Sequence, residues 1–287
     1  MHIDTALVSA LVAEQFPRFA DLPVRPVPRQ GWDNRTFRLG DELSVRLPSA
    51  EGYVAAVAKE ERALRYLDGR LPVAVPGVVG VGTPGQGFPF PWSVRRWLPG
   101  DTVASASGLD QVALAKDVGG MLAALRALPT EAGAAAGRHS FYRGSHPSAY
   151  SDQVQTALER LDVDAEACAE VWLTATTSVW ESAPVWLHGD VAVGNLLVRD
   201  GRLSAVIDFG TCGVGDPACD LVLAWTHLRG AARTVFREAA GLDDATWQRA
   251  RGWALWKSLV VLSGQSSPDE ADEHRRILAA VLADPVV

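Results

Sequence analysis

The stretch that decides the fold lies between residues 188 and 217. It reads His-Gly-Asp-Val-Ala-Val-Gly-Asn over residues 188–195, Ile-Asp-Phe-Gly over 207–210 and Gly-Asp-Pro over 215–217. Short apolar runs that favour strands precede and separate these motifs, and Asp-Gly at 200–201 favours a turn. The polar residues of the motifs therefore fall in adjacent loops of one small β region.

Three polar side chains in these loops suit phosphoryl transfer. Such a reaction needs a carboxylate that orients the acceptor hydroxyl and takes its proton. It also needs oxygen ligands for Mg²⁺, a hard cation that carboxylate and amide oxygens satisfy. Asp190 fits the first role, and Asn195 and Asp208 fit the second.

The spaced set resembles the motifs of a known enzyme family. His-Gly-Asp-x₄-Asn followed by Ile-Asp-Phe-Gly is similar to the aminoglycoside phosphotransferase family, a branch of the protein-kinase-like fold. The resemblance extends to residues 31–38 and 92–100 and covers most of the chain. It implies a small-molecule kinase that uses ATP or GTP as co-substrate together with Mg²⁺.

The same resemblance assigns roles to the residues of the motifs. Asp190 would be the catalytic base, and Asn195 and Asp208 would bind Mg²⁺. His188 would organise the loop through hydrogen bonds. Asp220 resembles a residue that supports the catalytic loop from the following helix, although a simple N-cap is an equal reading.

The third strand departs from the kinase pattern. Kinases place there a lysine that contacts the nucleotide phosphates and pairs with a glutamate of the inserted helix, but the three lysines of this chain lie elsewhere and only Arg46 can replace it. Glu60 falls in the apolar stripe of that helix and needs an inward partner, so we expect it to pair with Arg46. Glu61 and Arg65, four residues apart, suit a surface pair.

Two further segments are expected to contact the nucleotide. The phosphate loop carries a single glycine, Gly31, followed by backbone amides that can reach phosphate oxygens. The resemblance also implies a hinge at about 93–100, whose backbone groups meet the nucleobase. The residues concerned are Trp32, Asp33 and Asn34 in the loop, and Ser93, Val94 and Arg95 in the hinge.

The pattern of elements predicts an α+β, two-lobe fold. Residues 1–97 favour an antiparallel sheet with one inserted helix over 53–68, which would form the nucleotide-binding lobe. Residues 98–287 favour a mainly helical lobe for catalysis and substrate binding, with helices over 109–128 and 151–181.

Composition limits the functional classes. The chain has 287 residues, 27 basic and 34 acidic side chains and a net charge of −7, which argues against a nucleic-acid binder. It lacks a run of ~18 apolar residues, so no membrane partner is expected. Three cysteines late in the chain and no signal-peptide pattern favour a cytoplasmic setting.

The acceptor is the least constrained part of the prediction. Residues 151–287 carry 11 basic and 20 acidic side chains, which favours a hydroxylated, cationic small molecule such as an aminoglycoside. A macrolide or nucleoside antibiotic, a metabolic sugar or an amino alcohol stay open. Because Arg46 replaces a lysine, a non-catalytic nucleotide-binding module is the alternative from another class.

Overall fold

The chain forms two compact units. The structure, a computed structural model, describes residues 2–28, 30–31, 33–266 and 271–284. One unit comprises Met1–Gly100 and Ser204–Gly210, and the other comprises Asp101–Leu203 and Thr211–Val287. Asp208 thus belongs to the first unit, and Asp190 and Asn195 belong to the second.

The first unit is built on an antiparallel sheet with the strand order β1–β2–β3–β5–β4. The chain turns from one strand into the next at polar and glycine residues, such as Gly40 with φ 60° between β2 and β3. Its elements are α1 (Thr5–Gln15), β1 (Val24–Pro26), β2 (Asn34–Leu39), β3 (Leu43–Pro48), α2 (Val54–Leu67), β4 (Val78–Gly82) and β5 (Trp92–Arg96).

The two faces of this sheet differ in polarity because side chains alternate along each strand. Val45 pairs in register with Val94, and both join the apolar core that α1 covers with Leu11. Arg46 pairs in register with Ser93 on the opposite face. The pleat therefore directs the residue at the usual lysine position away from the core.

Helix α2 confirms the predicted inward glutamate. Val57, Leu64 and Leu67 of the apolar stripe are buried, and Glu60 on the same stripe is 3% exposed. Lys59 is buried as well, which the periodicity did not indicate.

The second unit is mainly helical and holds two small sheets, β6–β8–β9 and β10–β7. Strand β9 begins in this unit and continues into the first. The elements are β6 (Asp101–Thr102), α3 (Gln111–Arg126), α4 (Ser151–Arg160), α5 (Ala165–Thr177), β7 (Val185–Leu187), β8 (Leu196–Arg199), β9 (Arg202–Val206), β10 (Gly213–Gly215), α6 (Leu223–Thr226), α7 (Gly230–Ala240), α8 (Asp244–Leu262) and α9 (Ala271–Leu282).

Helix α8 is buried along most of its length and packs against α4, α5 and α9. The predicted single helix over 151–181 is wrong, because the chain breaks between Arg160 and Ala165. Asp164 caps the new helix by accepting a hydrogen bond from the backbone N–H of Ala167. No helix in the described ranges is long and apolar enough to cross a membrane. An antiparallel N-terminal sheet with a helical C-terminal part confirms the predicted α+β class.

Candidate active site

Glu60 in the first unit is held by two arginines rather than one. Arg46 Nη1 donates to Glu60 Oε1 at 3.0 Å, so the predicted pair is present. Arg95 adds a two-armed contact, from Nη1 to Oε1 at 2.7 Å and from Nη2 to Oε2 at 2.9 Å. Planar guanidinium and carboxylate groups form such paired bonds with strong geometric specificity. Sequence reasoning missed Arg95 as a partner of Glu60.

The second arm of Arg46 reaches Asp208. Arg46 Nη2 donates to Asp208 Oδ1 at 3.0 Å, and the Asp208 side chain stays 33% exposed. Asp208 has a φ of 65°, in the left-handed region that costs ~1 kcal/mol or more for a residue other than glycine. The strand end before Gly210 thus presents this carboxylate in a strained backbone conformation, as functional sites often do.

Electrostatics in this cluster follow from burial and opposite charges. Burial raises the pKa of Glu60, but Arg46 and Arg95 outweigh it and lower the pKa to about 2. Burial also disfavours the charged form of Arg46, yet Glu60, Asp208 and Asp33 hold the pKa of the guanidinium above its usual value. Both side chains are therefore ionised near neutral pH.

Asp33, one of the expected phosphate-loop residues, lies beside this cluster. Burial, followed by the charge of Asp208, raises the pKa of Asp33. A side chain at Gly210 would meet Asp33 Oδ2 at 3.4 Å and Asp208 Oδ1 at 3.5 Å, so the glycine leaves room between two carboxylates. Asn34 is buried at the start of β2, and Trp32 lies outside the described residues.

The expected hinge residues need a correction. Ser93, Val94 and Arg95 lie inside β5, which pairs with β3 on one side and with β4 on the other. Arg95 is 2% exposed and points to Glu60. Because these residues belong to a central strand, the segment without regular structure begins only at Trp97.

Lys59 occupies a place that the sequence did not suggest. Its Nζ donates to the backbone carbonyl of Gly210 at 2.6 Å, two residues after Asp208. A buried lysine normally costs free energy unless it is paired. Here it ties α2 to the segment that carries the candidate metal ligand.

In the second unit, Asp220 anchors the loop that begins at His188. Its Oδ2 accepts the backbone N–H of His188 at 2.8 Å, and its Oδ1 accepts that of Gly189 at 2.7 Å. Gly189 has a φ of 85°, and a Cβ there would lie 2.7 Å from the carbonyl oxygen of Thr211. The loop therefore needs glycine at this position. Asp220 anchors the loop and is not an N-cap, because Asp216 is the N-cap of the short helix Pro217–Leu221 that contains it.

The side chain of His188 is buried within the same loop. The backbone N–H of Asp190 donates to its Nδ1 at 3.2 Å, and the hydroxyl of Thr211 donates to its carbonyl oxygen. A ring nitrogen that accepts a hydrogen bond is unprotonated. This arrangement fits the predicted supporting role and offers the ring no path to solvent.

Asp190 and Asn195 come together as their spacing predicts. Asn195 Nδ2 donates to the carboxylate oxygen Oδ2 of Asp190 at 2.9 Å and to its carbonyl oxygen at 3.0 Å. Asp190 is exposed, so its carboxylate is held on one side and open on the other. Such a group can orient a hydroxyl and accept its proton.

An aromatic cluster, formed by Tyr142, Tyr150, Trp253 and Trp256, lies next to this loop; both tryptophans are buried and Tyr142 is exposed. A Cβ on Gly189 would lie 3.1 Å from Cβ of Arg143, whose guanidinium stacks over Trp253 and Trp256. Tyr150 stacks on Trp256 with ring centroids 4.2 Å apart. The sequence analysis did not indicate this cluster, because its members lie about 100 residues apart in the chain.

Phe141 and Tyr142 are exposed beside this cluster and have unusual backbone geometry. Both have positive φ, 48° and 53°, and their side chains are 49% and 42% exposed. The hydroxyl of Tyr150 donates to the carbonyl oxygen of Phe141, and Ser140 Oγ donates to the carbonyl oxygen of Arg143. The surrounding structure thus imposes a conformation that aromatic residues rarely adopt.

The comparisons with known proteins bear on both units. The sequence model of the phosphotransferase enzyme family matches residues 24–253. No curated protein matches the chain significantly. Among solved structures, the GDP and kanamycin complex of APH(2")-IIia aligns with a TM-score of 0.75 and 19% identity, over 96% of this chain and 98% of that one.

Other solved structures give the same fold. Macrolide 2'-phosphotransferase MphH from Brachybacterium faecium aligns with a TM-score of 0.65 and 23% identity, over 98% of both chains. The streptomycin-ATP-APH(2")-IIa ternary complex aligns with a TM-score of 0.64 and 18% identity, over 100% of this chain and 98% of that one. At identities this low, the structural similarity shows a shared protein-kinase-like fold and nothing more.

The fold and the family match together define the class of the protein as a small-molecule kinase. The family model covers most of the chain, from β1 into α8, and includes both the Arg46 cluster and the Asp190 loop. The chain belongs to the phosphotransferase enzyme family, as its His-Gly-Asp and Ile-Asp-Phe-Gly motifs predict.

Proposed function

We propose that this protein transfers the γ-phosphoryl group of a nucleoside triphosphate to a hydroxyl group of a small antibiotic. The observation that carries the proposal is the exposed carboxylate of Asp190, which Asn195 holds in a loop anchored by Asp220. A carboxylate that is held on one side and open to solvent on the other meets the requirement for a general base.

In the proposed reaction Asp190 acts as general base. Its open carboxylate oxygen accepts the proton of the acceptor hydroxyl while the hydroxyl oxygen forms a bond to the γ-phosphorus. The bond from that phosphorus to the β,γ-bridging oxygen breaks, and the nucleoside diphosphate leaves. The hydrogen bond from Asn195 fixes the carboxylate, so that little reorganisation is needed during proton transfer.

The first unit offers groups for the triphosphate. Arg46 Nε is buried and has no hydrogen-bond partner among the described residues, although both other nitrogens of the guanidinium are paired. A buried donor without a partner costs ~1–3 kcal/mol, which an anionic ligand would offset. We infer that Arg46 contacts the nucleotide phosphates and that the backbone of Asp33 and Asn34 lies close to them.

The donor set also fits Mg²⁺. Asn195 Oδ1 accepts no hydrogen bond from the described residues, and Asp208 keeps one carboxylate oxygen outside its bond with Arg46. Both are oxygen donors of the kind that this cation selects. Asn195 and Asp208 would hold Mg²⁺, which neutralises phosphate charge when it is bound.

Two acceptor classes are supported by different observations. The net charge of −9 on residues 151–287 favours a polycation such as an aminoglycoside. The exposed rings of Phe141 and Tyr142 favour a second candidate, a macrolide with a large apolar face. The similar solved structures include a kanamycin complex, a streptomycin complex and a macrolide 2'-phosphotransferase.

A phosphorylation assay tests the proposal. Purified protein is incubated with Mg²⁺ and either ATP or GTP and with a panel of aminoglycosides, macrolides, nucleosides and amino alcohols, and mass spectrometry detects the added phosphate. We expect an adduct on one antibiotic class with the wild type and a much slower reaction with Asp190→Asn. Nucleotide binding without any adduct across the panel would favour the non-catalytic alternative.

A further inference from the structure

The buried face of the N-terminal sheet places two arginines on one glutamate, and only one of them is near the candidate metal ligand. We propose that Arg95 is a positioning residue: it neutralises Glu60 and thereby leaves Arg46 available to bind the nucleotide phosphates. This inference rests on the proposed function, because it takes the phosphates to be the ligand of Arg46.

Of the two arginines that contact Glu60, Arg95 is held in place by more hydrogen bonds. Its two terminal nitrogens bind both oxygens of Glu60, and its Nε donates to the hydroxyl of Ser93 at 2.9 Å. The residue is 2% exposed, so solvent cannot replace these bonds. All three nitrogens of the guanidinium are therefore held by neighbours within the first unit.

Arg46 divides its hydrogen bonds between Glu60 and Asp208. It binds Glu60 through one bond only, at 3.0 Å, to the oxygen that Arg95 approaches more closely at 2.7 Å. Its other terminal nitrogen reaches Asp208, and its Nε has no partner among the described residues. Arg46 is also more exposed than Arg95, with 12% of its side chain accessible.

The difference has an electrostatic consequence. If Arg46 were the sole cation facing Glu60, moving it toward a phosphate would leave a buried carboxylate unpaired, which is strongly unfavourable. With Arg95 in place, Glu60 keeps two charge-assisted bonds while Arg46 changes partner. The free-energy cost of engaging the nucleotide is therefore lower than it would be if Arg46 were the only cation at Glu60.

Direct nucleotide binding tests this division of roles. Calorimetry with Mg·ATP and Mg·GTP is carried out on Arg95→Met, Arg95→Lys and Arg46→Met, and KM for nucleotide and acceptor is measured for each. The matched control is Arg65→Met, because Arg65 also pairs with a glutamate of α2 but through an exposed bond to Glu61.

We expect Arg95→Met to weaken nucleotide affinity by ~10-fold, with the acceptor KM and the Arg65→Met control within about 2-fold of wild type. Arg95→Lys should recover part of the loss, because an ammonium keeps the charge but makes fewer bonds. An Arg95→Met protein with lower thermal stability but unchanged nucleotide affinity would show that Arg95 is merely structural.

A double-mutant cycle keeps the inference testable if Arg95→Met fails to fold. Glu60→Gln removes the charge through which Arg95 is proposed to act, so Arg95→Lys should then add no further loss of nucleotide affinity. Additive losses would refute the positioning role. Unchanged affinity in Arg46→Met would instead refute the contact with phosphate, and with it the nucleotide part of the proposed function.

Discussion

Replacing Asp220 by asparagine should loosen the loop that carries Asp190. The carboxylate accepts two short bonds from the backbone N–H groups of His188 and Gly189, and it is 2% exposed. An amide has one oxygen, so one N–H must face the new NH₂ group and lose its acceptor. A lost charge-assisted bond is worth ~1.5–3 kcal/mol, and a stranded buried donor costs ~1–3 kcal/mol.

An opposing effect reduces the total. Burial raises the pKa of Asp220, because desolvation disfavours the ionised carboxylate. A neutral amide avoids this desolvation cost. We therefore expect Asp220→Asn to lower the free energy of unfolding by ~2 kcal/mol. Urea unfolding followed by tryptophan fluorescence measures this, and kcat should fall by ~10-fold or more because Gly189 directly precedes Asp190, the proposed base.

Asp164→Asn is the matched control. Asp164 accepts one backbone N–H at the exposed start of α5, where asparagine caps a helix as well as aspartate does. Its effect on the free energy of unfolding should stay within ~0.5 kcal/mol. If Asp220→Asn were no more destabilising than this control, the two bonds from the loop would not anchor it, and the argument for Asp220 would fail.

Four further predictions concern the residues around Asp190 and around Glu60. Asp190→Asn should lower kcat by ~10²–10⁴-fold and leave calorimetric nucleotide affinity near wild type, and an unchanged kcat would exclude it as the base. Asp208→Ala should abolish the Mg²⁺ dependence of nucleotide binding, measured by titration with and without a chelator. The pKa of Glu60 is lowered from 4.5 to about 2 in the folded state. The free energy of unfolding of the wild type should therefore fall as the pH drops from about 4.5 to about 2, by up to ~1.4 kcal/mol per pH unit. Acid unfolding of Glu60→Gln should lack this component. Arg46→Met should destabilise the fold less than Arg95→Met in thermal unfolding, because Arg95 keeps both of its bonds to Glu60, and the reverse order would contradict that reasoning.

Local spacing made part of the site predictable. Asp190 and Asn195 are five residues apart within one loop, so their proximity follows from chain connectivity. Glu60 interrupts an apolar stripe, and an inward carboxylate requires a cation on the facing strand. Both expectations depend on residues near in sequence or on one face of one element, where periodicity is informative.

Contacts between distant strands were not predictable in the same way. Arg95 and Arg96 are adjacent arginines, and nothing in their spacing tells which of them turns inward. The strand register decides it, because Arg95 pairs with Ser44 on the face that carries Arg46. The strained turn at Phe141 and Tyr142 was equally hidden, since its cause lies in hydrogen bonds from Ser140 and Tyr150.

The same register explains how one sheet face accommodates two arginines. Arg46 lies opposite Ser93, and Arg95 lies opposite Ser44, so each long side chain meets a small one across the strand pair. A planar guanidinium needs more room than an ammonium and offers more donors. With Ser93 supplying an acceptor for Arg95 and Glu60 supplying two, the face has space and partners for both arginines. An arginine at the usual lysine position is thus compatible with the proposed nucleotide contact, because the neighbouring strand supplies a second arginine that satisfies the glutamate.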